Sequence, residues 1–432
     1  MKRIKTTELS AIILALSMLL YAFRGKFGAV FITIELVMML YIILRQKGKQ
    51  RSFASKYAAV FLLIFAFVLH IIRSISVEYY LCIGYLLTPI LLMETKIDHY
   101  KELWKWLKGI AIFEAVGVYI QFLVPGLYYS LISVILPSDV ISSIRTRLQS
   151  GYYTGFSHEV SFTMFLIVIG LGLYLYDSEA RKNSKKWVII AFLFSALFIS
   201  GKRATLLFFV VAYFMTQFIQ SDSKIKIIKY SLIVVAGIIL LRLTYTWWSQ
   251  IPALSRVNEF INYFTLNDVI GMTSGRTVIY ENAIRLWNTN KWFGIGWGNF
   301  KYSINQNLWF SGFDVHNCFL QILCETGIVG LFFYSILCIT SLINSVRAVL
   351  MYRRSREIRT YRLAVFCCYI QIFFVLYSLT EPILYEYTDY VIYFVSFNCS
   401  NLLVRNRNYS NHIGNVRQNR PIKGRLYEKV LG

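Results

Sequence analysis

The apolar residues of this chain fall in runs of about 17 to 22, the length an α-helix needs to cross the hydrocarbon core of a bilayer. Such a run repeated along a chain leaves few folds open, because in lipid every backbone N–H and C=O must be paired within the protein. Apolar residues make up 57% of the sequence and charged residues 16%. The pattern predicts an all-α polytopic membrane protein with about twelve transmembrane helices, near 7–23, 27–44, 57–74, 79–94, 109–124, 158–176, 187–200, 203–220, 228–247, 322–343, 362–380 and 385–404. Residues 1–404 form one integral membrane domain, and 405–432 a basic, loose cytoplasmic tail. The first apolar run lacks a small-x-small cleavage site and reads as a retained span.

Basic residues test that count, since cytoplasmic loops collect Lys and Arg. With the N-terminus inside, the predicted inner segments hold 32 of the 45 basic residues, which places both termini in the cytoplasm. A net charge of +23 spread over every inner loop points to anionic lipid headgroups rather than to nucleic acid, which would need the charge gathered on one soluble face. Tyr, Phe and Trp form 17% of the chain, more than interfacial belts require. Lipid-facing packing explains most of them, and stacking on sugar rings is the other use. Of seven cysteines, Cys82, Cys338, Cys367, Cys368 and Cys399 fall inside spans as small apolar fillers. Cys318 and Cys324, six apart on one helix, are badly placed to bridge. No metal-ligand spacing and no Asp-x-Asp occurs, which argues against the metal-held nucleotide-sugar site of soluble glycosyltransferases.

Two predicted outer segments, 125–156 and 248–321, are too long for simple turns, and the second carries helical periodicity of its own, predicting short amphipathic helices on the membrane surface. Arg276, Tyr280, Ala283 and Trp287 share one helical face, with Thr273 and Ser274 as N-cap candidates before it. Arg203 opens a span after Ser200-Gly201-Lys202, and His316 follows Asp314, an N-cap candidate for the next helix. A cation in a first helical turn is unfavourable by roughly 0.3 to 1 kcal/mol unless an anion meets it, and phosphate binds naturally at such an end. Arg203 and Arg276 together suit a diphosphate, since the guanidinium fork matches phosphate oxygens in pairs. Snorkelling explains Arg203 and Lys202 equally well, and a solvated surface position is the competing account of Arg276. A helix N-terminus keeps His316 neutral, the form that accepts a proton from a hydroxyl, although a hydrogen-bonded capping His fits as well. Asp314 and Asn317 are candidates to orient the ring or a substrate hydroxyl. Glu325 and Glu381 lie at the outer end as supporting groups. The glycines at 294, 296 and 298 read as a tight turn, and Glu114 and His70, inside spans, as groups paired with neighbouring helices or part of an ion path.

In this order the pieces resemble the O-antigen polymerase and O-antigen ligase superfamily of bacterial membrane glycosyltransferases. They are Ser200-Gly-Lys-Arg203, Ser274-Gly-Arg276, Gly294-x-Gly-x-Gly298, His316-Asn317 and Glu325-Thr-Gly-Ile-Val-Gly330, covering about 200–335. Lys202 departs from the family's pattern, which has a small residue there. The resemblance implies that Arg203 and Arg276 hold the diphosphate of an undecaprenyl-linked glycan and that His316 serves the acceptor hydroxyl. It implies no metal and no cofactor, with Lys202, Ser274, Tyr280, Asp314, Asn317 and Glu325 around the substrate. The expected activity is a polymerase joining lipid-linked repeats at the outer face of the bacterial inner membrane, alongside a flippase and a chain-length regulator. A ligase of the same superfamily is the close alternative. A flippase or other transporter is the alternative of another class, disfavoured by the long outer loop and the absence of repeated halves.

Overall fold

The structure, a computed structural model, describes residues 6–21, 23, 97–177, 184–221, 232, 239, 275–303, 314–355, 357–383 and 386–418. Among these residues there are twelve helices and no strand. In chain order they are α1 (Thr6–Tyr21), α2 (Ile97–Leu123), α3 (Pro125–Ile135), α4 (Ser138–Gln149), α5 (Val160–Leu175), α6 (Ser184–Ile199), α7 (Arg203–Gln220), α8 (Arg276–Thr289), α9 (Phe300–Ser303), α10 (Cys318–Tyr352), α11 (Ile358–Tyr377) and α12 (Tyr387–Gln418).

Four segments are long and apolar enough to cross a membrane: Tyr100–Leu123 in α2, Arg203–Gln220, Cys318–Tyr352 and Ile358–Tyr377. Ala11–Tyr21, Pro125–Ile135 and Val160–Leu175 are apolar but shorter. The spans expected near 27–44, 57–74, 79–94 and 228–247, and with them His70, lie outside the described residues. The outer segment 125–156 contains two helices, the first apolar, and α12 runs on through Gln418 where a loose tail was expected from 405. No proline interrupts that stretch.

α5 lies at the centre. Val160 to Leu173 are all buried, which requires neighbours on every side, and α2, α6, α7, α11 and α12 supply them. Around α11 gather α7, α10 and α12, and buried Phe and Tyr rings fill the seams: Phe373 stacks on Tyr377 with centroids 5.3 Å apart, and Phe374 on Tyr393 at 4.0 Å. The Tyr377 hydroxyl donates to the Ser161 carbonyl at 2.9 Å, tying the end of α11 to the start of α5. Glu114 on α2 accepts from the Phe156 amide at 3.1 Å and the Thr163 hydroxyl at 3.2 Å, while Gln121 accepts from the Thr154 and Gly155 amides at 2.7 and 3.2 Å. These two side chains serve the loop that leads into α5, so Glu114 pairs with its neighbours.

α10 is two helices joined at Gly327, whose φ of 70° and ψ of −167° are non-helical. The break frees backbone groups that must find partners. The glycine turn before α9 provides them: the Ile295 and Gly296 amides donate to the Cys324 and Glu325 carbonyls at 3.0 and 2.9 Å, and the Ile328 and Val329 amides donate to the Lys291 and Trp292 carbonyls at 3.0 and 3.2 Å. A Cβ at Gly327 would overlap the Trp292 carbonyl, and one at Gly294 the Glu325 carbonyl group. The tight glycine turn at 294–298 and the segment Glu325–Gly330 are therefore two halves of one backbone joint.

Candidate functional site

One end of the bundle brings together the start of α5, the start of α7, the start of α8, the start of α10 and the segment that follows α11. Four helix N-termini meet there, each presenting free N–H groups and the positive end of its dipole. Glu381 enters this space one turn past Tyr377, whose carbonyl accepts from the Glu381 amide at 3.1 Å, and Pro382 prevents the helix from continuing.

Glu381 is only 2% accessible and fully engaged. Its Oε1 lies 2.7 Å from Lys202 Nζ and 3.4 Å from Arg276 Nη2; its Oε2 accepts from the Ser161 hydroxyl at 2.9 Å and lies 4.0 Å from His316 Nδ1. Lys202 Nζ also donates to the Ser161 hydroxyl. Burial by itself would raise the Glu381 carboxyl, but Lys202, Arg276 and His316 outweigh it and hold the group below its ordinary value. The side chains of Arg276 and His316 are each 26% accessible, so both also face outward from this hub.

A second pair stands beside the first. Glu159, the N-cap residue of α5, lies 3.2 Å from Arg147 Nη1 on α4. His158, Glu159 and Glu386 place potential ligand atoms within 4.8 Å of one another. Because Arg147 already gives Glu159 its counter-charge, the group reads as an ion-pair network.

His316 occupies an unusual backbone position, with φ at 55°, a left-handed conformation uncommon outside Gly and Asn. Gln321 fixes the segment before it, accepting from the Val315 amide at 3.3 Å and donating to Asp314 at 3.1 Å. Asn317 fixes the segment after it. Its side-chain oxygen accepts from the Leu320 amide at 3.0 Å, so the N-cap of α10 is Asn317 and not Asp314. Asp314 was the wrong choice because the helix begins one residue beyond Asn317, and a capping oxygen must reach an amide two or three residues on. Burial holds the imidazole below its ordinary value; Glu381 pulls upward, and Arg276 and Lys202 add to the lowering. That direction favours the neutral ring.

Tyr280, one turn after Arg276, donates to the His316 carbonyl at 3.3 Å and joins α8 to the His316 segment. Arg276 is the first residue of α8, as expected, but its N-cap is Gly275; Thr273 and Ser274 lie outside the described residues. Arg203 opens α7 as expected, while its neighbour Lys202 is the side chain that reaches Glu381. Glu325 is placed elsewhere. Buried on α10, it accepts from the Phe300 amide at 3.2 Å and from Gln321 at 3.5 Å, and so supports the joint at Gly327. Arg147, Glu159 and Ser161 were not foreseen; the one signal in the sequence was an acidic residue directly ahead of an apolar run.

Residues 188–335 match the O-antigen ligase family. The match supports the resemblance of this region to the O-antigen polymerase and ligase superfamily. It contains Lys202, Arg203, Arg276 and His316, while Ser161 and Glu381 lie outside it. No curated protein matches the chain. The match to residues 188–335 supports a function of the O-antigen polymerase or ligase kind without separating the two, and the apolar helices fit a multi-pass membrane protein.

Proposed function

We propose that the chain is a polymerase that joins undecaprenyl-diphosphate-linked oligosaccharide repeats into a surface polysaccharide at the outer face of the bacterial inner membrane, with both termini in the cytoplasm. The observation that carries this reading is the gathering of Lys202, Arg276 and His316 around Glu381 at one end of the bundle. In the reaction, the bond between the anomeric carbon of the growing chain and its diphosphate oxygen breaks, and a bond to the acceptor hydroxyl of an incoming repeat forms. His316 takes the hydroxyl proton. The leaving diphosphate is held by the outward N–H groups of Arg276, with Arg203 and Lys202 adding positive charge. Donors already in position where charge develops are worth several kcal/mol in a water-poor site, which is the scale of a useful catalytic contribution. The scheme uses no metal, because guanidinium and ammonium groups neutralise the leaving group.

Glu381 has a defined place in this scheme. An Arg has five N–H donors, so one bond to Glu381 leaves others for phosphate. A ligase that delivers finished polymer to a lipid core, wall polymer or protein is the second reading, favoured by the description of the matching family. Deleting the gene and resolving the surface glycan on a gel separates them. Single repeats without a ladder support the polymerase. Loss of the glycan with long lipid-linked chains accumulating supports the ligase, and repeats trapped on the inner face indicate a flippase instead. A chain-length regulator and a flippase are the expected partners of the polymerase.

A further inference from the structure

Ile328, Phe332, Ile336, Ile339, Ile343 and Leu350 are exposed, from 41% to 59% accessible, and their spacing places them on one side of α10. This line starts one residue beyond the break at Gly327. At 1.5 Å per residue its uninterrupted part, Ile328 to Ile343, runs about 22 Å, most of the roughly 30 Å thickness of a bilayer's hydrocarbon core, before the exposed Arg347 appears on the same side. The far end of the line is marked by Arg353 and Arg354, its near end by an exposed turn. That turn carries Lys291, Trp292 at 67% and Phe293 at 45% accessibility.

The turn is not loosely attached. Its Lys291 and Trp292 carbonyls accept the Ile328 and Val329 amides, and the Trp287 indole donates to the Lys291 carbonyl at 3.1 Å. Two large apolar rings beside a Lys are thus fixed at the upper limit of that apolar face. Trp is favoured at that depth because its body is apolar and its N–H polar, and a neighbouring Lys reaches the phosphates.

We propose that the Lys291–Phe293 turn is a membrane anchor, seated in the boundary between headgroups and acyl chains on the side of the bundle that holds Arg276 and His316. α8 runs directly into this turn, so the anchor sets the depth of Arg276 at the opposite end of the helix. The inference rests on the membrane reading of α10 and not on the transfer reaction.

The test uses the full chain in nanodiscs of phosphatidylcholine and phosphatidylglycerol brominated near the glycerol end of the acyl chains. Wild-type protein is compared with Trp292→Phe, which keeps an apolar ring, so that the emission lost in the variant reports Trp292 among the nine tryptophans. Quenching of that component by brominated lipid, with no effect of aqueous iodide, is the expected result. Quenching by iodide would overturn the proposal by placing the turn in water. Quenching by neither would also overturn it, because another protein surface, such as a second copy of the chain, would then cover the ring. No glycan is present in the measurement, so its outcome and that of the gene deletion are independent.

Discussion

At the scale of single residues, Glu381 meets Lys202, Arg276 and His316 at the same carboxylate. Removing the negative charge leaves Lys202 and Arg276 facing each other across a space with little water. Glu381→Gln is expected to cost roughly 3 kcal/mol, the low end for a broken buried pair because Arg276 and His316 are partly accessible; thermal unfolding in detergent measures it. The same variant removes the first of the two carboxylates that pull His316 upward, Glu159 being the other, so the acid limb of the pH–rate profile should move to lower pH. An unmoved limb would mean that His316 is not the titrating group. In the wild-type protein the limb should lie below the ordinary His value of about 6.5. Stability follows the same sign: as pH falls below the ordinary value the unfolded chain takes the proton first, so the contribution of His316, complete above it, is lost down to the depressed folded value. Arg276→Ala, at unchanged protein level, should abolish polymer, and Arg276→Lys should not restore it, since an ammonium lacks the paired donors. Normal chain length in either variant would remove Arg276 from the leaving-group role.

At the scale of helices, the joint at Gly327 is the feature most sensitive to one substitution. Gly327→Ala forces a side chain into a left-handed backbone position and against the Trp292 carbonyl, so a loss of more than about 1 kcal/mol is expected, with the 291–296 turn released from α10. Limited proteolysis at that turn, slow in wild type, reports it. Asn317→Ala should cost about 1 kcal/mol and loosen His316, because the cap that defines the start of α10 would be gone. The helices themselves were legible from apolar run length: α7 begins and ends at the predicted residues, and α5, α6 and α11 lie within about four residues of theirs. The break in α10 was not legible as a break. Glu325-Thr-Gly-Ile-Val-Gly330 has the composition of a continuous span, and only the backbone partners offered by a turn some 30 residues earlier make the interruption stable. The same long-range dependence hid the roles of Asp314 and Glu325. A residue's distance from a helix start can be guessed from sequence, but which carbonyl or amide will stand beside it cannot.

At the scale of the molecule, the candidate site is a property of the bundle's end and of no single segment. Ser161, Lys202, Arg276, His316 and Glu381 come from five separate stretches spanning 220 residues of chain. Sequence reasoning singled out Arg203, Arg276 and His316 because cations at helix starts conflict with the dipole and so call for an explanation, and Lys202 entered only as the neighbour of Arg203. It placed Glu381 at the edge, since an acid after a span conflicts with nothing. The prediction at this scale is an order of dependence: if the bundle end is assembled by packing, then Tyr377→Phe, which cuts the bond between α11 and the start of α5, should weaken activity without touching any group that meets substrate. Transfer assayed in membranes at matched protein level checks this, and full activity in the variant would show the end of the bundle to be held by other contacts. The position of Glu381 in the chain has a consequence for biosynthesis. A ribosome inserts Lys202, Arg276 and His316 into the membrane well before it makes the carboxylate that organises them. A chain stalled or cut short before residue 381 therefore carries its cations unarranged, and the candidate site is completed only as the last helices arrive.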